Sequence, residues 1–249
     1  RPPIVNEIST WTRAEYATWY EWGLDSLVHE TESVYTERIS EDEILIKATV
    51  NTYSFKERSL QFNSIFSFRI NSQGRLMLDH QVVCQMELPA RRASQDIPWL
   101  QRIGLEMKLD PGVEGFRWYG KGPFETYPDR KTGAKTGIFS LNADSIRMPY
   151  VITQGFDNHT DVRWLEVIHD SGTGIRFEGG ESFNFSVDPY ANLEGSWYPY
   201  QLKKASNLAL NLDHRVSGVG GTPITVRHPY RTYPDEYHYQ LFIQPVEYP

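Results

Sequence analysis

Apolar and polar side chains alternate with a period of two along most of this chain after its first thirty residues. That repeat sets one face of a strand against a core and turns the other to water. In Ile44-Leu45-Ile46-Lys47-Ala48-Thr49-Val50 the even positions share a face, and Phe62, Ser64, Phe66, Phe68 and Ile70 do the same. Asn71-Ser72-Gln73-Gly74 then supplies turn chemistry, so residues 62–70 and 75–86 are predicted to form a hairpin. Further strands are predicted over 102–109, 115–120, 161–169, 174–178, 182–188, 207–216 and 237–244, with His169-Asp170-Ser171-Gly172 as another turn. Helical stripes are scarce. Residues 13–24 hold a short one, and 188–194 read as a capped turn opening on Asp188 with Pro189 in first position. Residues 89–99 are polar and irregular and are expected to loop between halves of the fold. Many strands joined by turns, with few crossover helices, predict an all-β antiparallel sandwich. With no internal repeat or low-complexity linker, one domain over residues 1–249 is expected.

Composition narrows the choice. A chain of 249 residues also has the length of a (β/α)₈ barrel, but that fold needs repeated helical stripes, which are missing here. The 25 Lys plus Arg against 32 Asp plus Glu leave a net charge of −7, which argues against nucleic acid as partner. No apolar run reaches membrane-spanning length, so no membrane partner is expected. A lone cysteine, Cys84, excludes a disulfide framework within the chain and a thiolate metal cage, and leaves the compartment, cytoplasmic or periplasmic, open. The seven histidines, at 29, 80, 159, 169, 214, 228 and 238, form no His-x-x-x-His pair, so neither a metal nor a cofactor is expected. His238 reads as a hydrogen-bonded surface or core histidine. Asn158-His159-Thr160 and Asn184-Phe185-Ser186 match the glycosylation sequon, a pattern short enough to arise by chance.

The densest chemistry lies in Gly120-Lys121-Gly122-Pro123-Phe124-Glu125-Thr126-Tyr127-Pro128-Asp129-Arg130. Glycines permit close backbone approach, prolines fix φ, and Glu125, Asp129 and Arg130 supply carboxylates and a guanidinium that can pair. The plainer reading is a rigid turn pinned by a buried ion pair rather than a reactive centre. Trp118 and Trp164 fall inside strand patterns and are expected in the core, whereas Trp197 and Tyr198, in Trp197-Tyr198-Pro199-Tyr200, are candidates for stacking on a sugar.

Taken together, the Gly122-Pro123, Glu125, Tyr127 and Asp129-Arg130 positions resemble the signature of the β-galactosidase small chain, the C-terminal domain of family-2 β-galactosidases. Other blocks agree in order: Arg1-Pro2-Pro3-Ile4-Val5-Asn6-Glu7, Arg102-Ile103-Gly104-Leu105, Pro149-Tyr150-Val151, Asn158 to Trp164, Ser217-Gly218-Val219-Gly220-Gly221 and Tyr237 to Leu241. The resemblance spans nearly the whole chain. It implies an antiparallel supersandwich of the galactose-mutarotase-like type, cut from a larger multidomain glycosidase. The partners it implies are the catalytic barrel, the other domains of that parent and a galactoside or other carbohydrate. It also implies that the two glutamates of retaining hydrolysis belong to the barrel, so that this chain holds no catalytic residue.

The chain departs from the family pattern twice. Where relatives carry a stacking Trp shortly after Gly-Gly, Gly220-Gly221 runs into Thr222-Pro223-Ile224-Thr225, and a family Glu is replaced by Gly155. The substrate-loop candidates are therefore Thr222, Pro223 and Arg227, in the loop 220–227. Two other functions stay open. A stand-alone mutarotase-like aldose epimerase would need an acid and a base, for which His159 or His169 with Glu166 or Glu178 are the candidates. A carbohydrate-binding module would need an exposed aromatic platform.

Overall fold

The computed structural model describes residues 19–56, 60–86, 99–193, 195–221 and 225–248. Eleven strands follow one another: β1 (Leu27–Arg38), β2 (Glu43–Ser54), β3 (Leu60–Asn71), β4 (Leu76–Met86), β5 (Arg102–Lys108), β6 (Val113–Gly122), β7 (Lys135–Asn142), β8 (His159–His169), β9 (Thr173–Tyr190), β10 (Lys204–Val216) and β11 (Glu236–Glu247). Every pairing among them is antiparallel. The main path runs β1-β2-β3-β4-β11-β9-β8-β6-β7, and β10 leaves it by pairing with both β9 and β5.

The two predicted strands 174–178 and 182–188 are one strand of 18 residues, β9, whose neighbours change along its length. Residues from Thr173 to Gly179 pair with β11, whereas Asn184 to Asp188 pair with β10. The change falls at Gly179-Gly180. A Cβ on Gly179 would stand 1.9 Å from the Glu181 carbonyl oxygen, so only glycine allows the backbone to fold back so closely there. The predicted break is therefore a real change of partner without a break in the strand. Beyond it, the capped turn expected at 188–194 is displaced, because β9 continues through Pro189 to Tyr190. The Asp188 carboxylate accepts the Tyr190 amide at 3.0 Å, an Asx contact within the strand end.

Two strands were not predicted. In β1 every residue after Val28 is exposed, so neither face carries an apolar stripe; its backbone is held by pairing with β2. Strand β7 turns Phe139 toward Trp118 at 5.7 Å while its neighbour Ile138 stays 56% exposed, which blurs the alternation. Of the short helix expected over 13–24, residues 19–21 are helical and 22–25 form turns, while 13–18 lie outside the described residues. The loop predicted at 89–99 lies outside them too, apart from its last residue, Trp99, whose carbonyl accepts the Trp19 indole N–H at 2.7 Å.

One buried cluster joins the aromatic and aliphatic faces of β6, β8, β9 and β10: Phe116, Trp118, Leu165, Phe185, Leu210 and Leu212 are all nearly inaccessible. Trp164 departs from its expected place. It is half-buried outside the cluster, with the Arg176 guanidinium 4.4 Å and the Arg117 guanidinium 5.7 Å from its ring. A ring face with two cations over it is stabilised by the aromatic quadrupole without full burial. The accessible surface, 13,794 Å², exceeds the roughly 11,000 Å² expected from mass scaling. The β1–β2 hairpin contributes to that excess through exposed Val34, Tyr35 and Ile44.

Truncating Leu212, only 1% exposed, to Ala is expected to destabilise the fold by about 2–5 kcal/mol. The same change at exposed Val34 should fall within about 0.5 kcal/mol. Urea denaturation midpoints of the two variants check the assignment of the core.

Candidate functional site

Strand β6 ends at Gly122, a cis peptide leads into Pro123, and the chain turns sharply back between Tyr127 and Arg130. The Tyr127 amide donates to the Arg130 carbonyl at 3.2 Å and the Arg130 amide returns to the Tyr127 carbonyl at 2.9 Å. Tyr127 is buried beneath the Arg130 guanidinium, 5.1 Å from its ring centre. Behind the turn lies the segment before β8. There the Thr126 amide donates to the Asn158 carbonyl at 2.6 Å, and the Asn158 side-chain amide donates to the Thr126 carbonyl at 2.7 Å. Asn158 is 1% exposed and committed to that bond, so the sequon at 158–160 is structural. At the second sequon the Asn184 side-chain amide donates to the Asp213 carbonyl at 3.2 Å.

Glu125 is the centre of this group. One carboxylate oxygen takes both Arg130 Nη2 and the Tyr150 hydroxyl, and the other accepts the Asp157 amide at 2.9 Å. Asp157 sits at φ 59°, in the left-handed region, and its carboxylate lies 3.3 Å from His159 Nε2. The His159 ring is itself wedged between Trp118 at 4.4 Å and Phe185 at 4.9 Å. Burial pushes the Glu125 carboxyl above its usual range, and the Asp157 amide and the Arg130 guanidinium oppose that rise without cancelling it. The Arg130 side chain is 44% exposed and Glu125 17%, so the pair is half-buried, which corrects the expectation of a buried one.

Asp129 does something that spacing along the chain does not reveal. Its two carboxylate oxygens accept the backbone amides of Val219 at 3.0 Å and Gly220 at 2.8 Å, ninety positions away. A Cβ on Gly218 would come within 2.3 Å of the Asp129 carboxylate, so the absence of a side chain there lets the two segments meet. The Gly218 amide in turn donates to the Tyr230 carbonyl at 2.7 Å, and Ser217 bridges the Leu100 carbonyl and the Thr232 amide through its hydroxyl at 2.7 Å each. The two arms of the loop around 220–227 are thereby gripped at their base. Arg227 is exposed at the far arm, whereas Thr222 and Pro223 lie outside the described residues.

A family model of the beta galactosidase small chain matches residues 1–243. The chain belongs to that family. Curated relatives include β-galactosidase BgaC of Bifidobacterium adolescentis, 37% identical over 56% of this chain and 14% of its own length. The β-galactosidases of Kluyveromyces lactis, 26% identical over 88% of this chain and 20% of theirs, and of Photobacterium profundum, 25% over 98% and 23%, are also similar. The chain thus spans between 14% and 23% of the length of these relatives. Among solved structures, an aldose epimerase homologue from C. elegans overlays on 87% of this chain and 69% of its own at 11% identity, with a TM-score of 0.41.

The residues that carry the resemblance come together as a brace: Gly122 and Pro123 at its start, Glu125 and Arg130 joined across it, Tyr127 beneath, and Asp129 reaching the Val219 and Gly220 backbone. The epimerase candidates do not come together. His159 and Glu166 lie seven residues apart on one strand, roughly 20 Å at the strand rise. His169 is held at the end of β8 by Asp110 at 3.0 Å and Asp170 at 2.8 Å, and Glu166 is paired with Arg176 at 3.1 Å, which also reaches Glu178 at 3.5 Å. Trp197 and Tyr198 are 67% and 45% exposed, and Tyr198 stacks on Tyr200 with ring centres 5.7 Å apart. His238 bonds Asp79 at 2.9 Å, and no cluster of three metal-ligating side chains occurs among the described residues. Sequence reasoning missed Tyr150, Asp157, Val219 and Gly220 as partners of the brace. The one available signal was that Ser217-Gly218-Val219-Gly220-Gly221 and the Gly-Pro turn both carried the family resemblance.

Arg130→Ala is expected to cost about 1–2 kcal/mol, below the 3–5 of a fully buried pair, because water screens the exposed guanidinium. A folded-state carboxyl that binds its proton more tightly than the unfolded chain adds stability below the unfolded pKa and loses it as pH rises through the folded value. The stability of the native protein relative to Glu125→Gln should therefore fall as pH rises from the acid side through that window. Denaturation midpoints of both proteins from acid to neutral pH check the sign; a rise with pH would contradict it.

Proposed function

We propose that this chain is the accessory C-terminal domain of a larger retaining β-galactosidase, a single domain packed against the catalytic barrel and inactive alone. The nucleophile and the acid/base are supplied by the barrel, and this domain contributes the loop 220–227 to the rim of the sugar site. The observation that carries this reading is the grip of Asp129 on the Val219 and Gly220 amides at 3.0 and 2.8 Å, at the start of that loop. Two charge-assisted bonds to backbone N–H groups fix a chain direction more firmly than a side-chain contact would, and binding loops work when a rigid scaffold aims them. Exposed Arg227 presents up to about five donors, suited to sugar hydroxyls or to a barrel carboxylate. Thr222 adds a hydroxyl and Pro223 limits the loop's freedom, lowering the entropy lost on docking. The relatives support the reading, being β-galactosidases of which this chain spans a minor part.

A second reading, carbohydrate binding through the surface aromatics, is favoured by the exposure of Trp197. A 67% exposed indole offers the open ring face that sugar stacking needs.

In the full-length enzyme, Asp129→Asn and Arg227→Ala are expected to lower kcat/KM for a chromogenic β-galactoside by about tenfold each, the equivalent of one lost charged hydrogen bond. Global melting should change little for Arg227→Ala. Unaltered kcat/KM in both variants would remove the loop from the sugar site. Hydrolysis of the same substrate by the purified 249-residue chain would overturn the assignment of catalysis to another part of the protein.

A further inference from the structure

A second feature shares no lining residue with the Glu125 brace. Strands β1 to β4 present one face toward β5 and β10, and a cleft of about 420 Å³ opens between them. Its floor follows from the alternation of each strand and the register between them. His29 stands opposite Thr52, Thr52 opposite Phe62, Ser64 opposite Val82, and His80 opposite Phe66. Hydroxyl and imidazole groups are thus interleaved with aromatic and aliphatic ones rather than segregated to a rim. Across the cleft stand Asn211, 2% exposed, and Arg102, whose guanidinium is neutralised by Asp213 at 3.0 Å.

The floor is built rather than accidental. His29 Nδ1 bonds the Thr52 hydroxyl at 2.8 Å, and His80 Nδ1 bonds the Tyr239 hydroxyl at 2.8 Å from the neighbouring strand β11. His80 is 4% exposed and stacks on Phe66 at 4.1 Å, yet its Nε2 has no hydrogen-bond partner among the described residues. Buried polar atoms are nearly always paired, so such a group beside a cleft is a mark of a site. Burial brings the His80 imidazole down to about 4, so it stays neutral at physiological pH.

We propose that this cleft binds a small, neutral, polyhydroxylated molecule of free-hexose size, with its C–H face on Phe62 and Phe66 and its hydroxyls on Thr52, Ser64 and Asn211. The lining chooses among ligand classes. A charged ligand has no free counter-charge, because Arg102 is paired with Asp213 and Glu106 with Lys108 at 3.8 Å. A purely apolar ligand would leave the hydroxyl, amide and imidazole groups dry. A cyclic polyol satisfies both the rings and the polar groups, and a volume of about 420 Å³ is at the small end of ligand pockets. The proposal stands whether or not the loop 220–227 touches a substrate.

The test is saturation-transfer NMR and titration calorimetry on the 249-residue chain with D-galactose and D-glucose as probes. At least one hexose is expected to bind with Kd of about 1–10 mM, as befits a small ligand with few contacts. Ser64→Phe, which fills the cleft, should abolish binding. Thr52→Val, which keeps the shape and removes a hydroxyl, should weaken it about fivefold, and it supplies the reading if Ser64→Phe does not fold. The proposal is overturned by absence of binding for both hexoses up to about 50 mM. Undiminished binding in Thr52→Val would overturn it too.

Discussion

The structure depends on strand β9 satisfying both of its backbone edges with three different neighbours. One edge keeps β8 for much of its length, while the other passes from β11 to β10 across Gly179-Gly180. Every buried N–H and C=O must find a partner, so this exchange decides where the remaining strands can lie. It joins β1–β4 through β11 to the first half of the strand, and joins β5 through β10 to the second. The face of the first group thereby comes to stand opposite the second, which is why a cleft opens there rather than a closed seam. Phe177, Phe183, Phe185 and Val187 of β9 are all buried, so the strand that sets the topology also supplies much of the core.

Register on the second half is held by polar groups inside the core as much as by apolar ones. Asn211 and Asp213 of β10 are 2% and 1% exposed; the first reaches Ser186 at 3.3 Å and the second pairs with Arg102. Burying a charge costs several kcal/mol that the pair only partly returns. The advantage lies in specificity: a one-residue slip of β10 would strand Asp213 among the leucines Leu210 and Leu212. The register shift in β10 between Asp213 and Arg215 falls next to the ion pair.

How much was legible in the sequence follows from the same physics. Strands with one buried face, such as β3 and β4, announced themselves by alternation, and the Asn71 to Gly74 turn between them bears the expected bonds, with Asn71 Oδ1 accepting the Gln73 and Arg75 amides at 3.1 and 3.0 Å. Strand β1 was silent because every residue after Val28 is exposed, so no apolar stripe marks either face and pairing with β2 holds the strand in place. Trp164 was misjudged because a strand pattern cannot distinguish a ring shielded by leucines from one shielded by two guanidiniums. The brace was half legible: Glu125 and Arg130 are five residues apart, but Asp129 acts on amides ninety positions away and no residue type marks a backbone donor. The cleft was illegible for a related reason. It draws two to five residues from each of six strands, and only the register between strands brings them together.

The choice of an anionic acceptor on backbone donors bears on what the brace is for. A lysine or arginine answering Asp129 would bring a long, rotatable stem, and the loop it carried would inherit that freedom. The Val219 and Gly220 amides have no such stem, and their directions are set by the chain itself. Asp129 is in turn one step from the Tyr127–Arg130 turn, which is tied to β6 and, through Thr126 and Asn158, to the segment entering β8. Rigidity therefore passes from the sheet to the turn, and from the turn to the base of the loop, through short contacts. A network devoted to stability alone would have been buried more deeply and closed on itself, as the Asp213–Arg102 pair nearly is. This one stays half-exposed, and its last link ends on the exposed backbone of Gly220, an arrangement in keeping with the proposed role of aiming a loop.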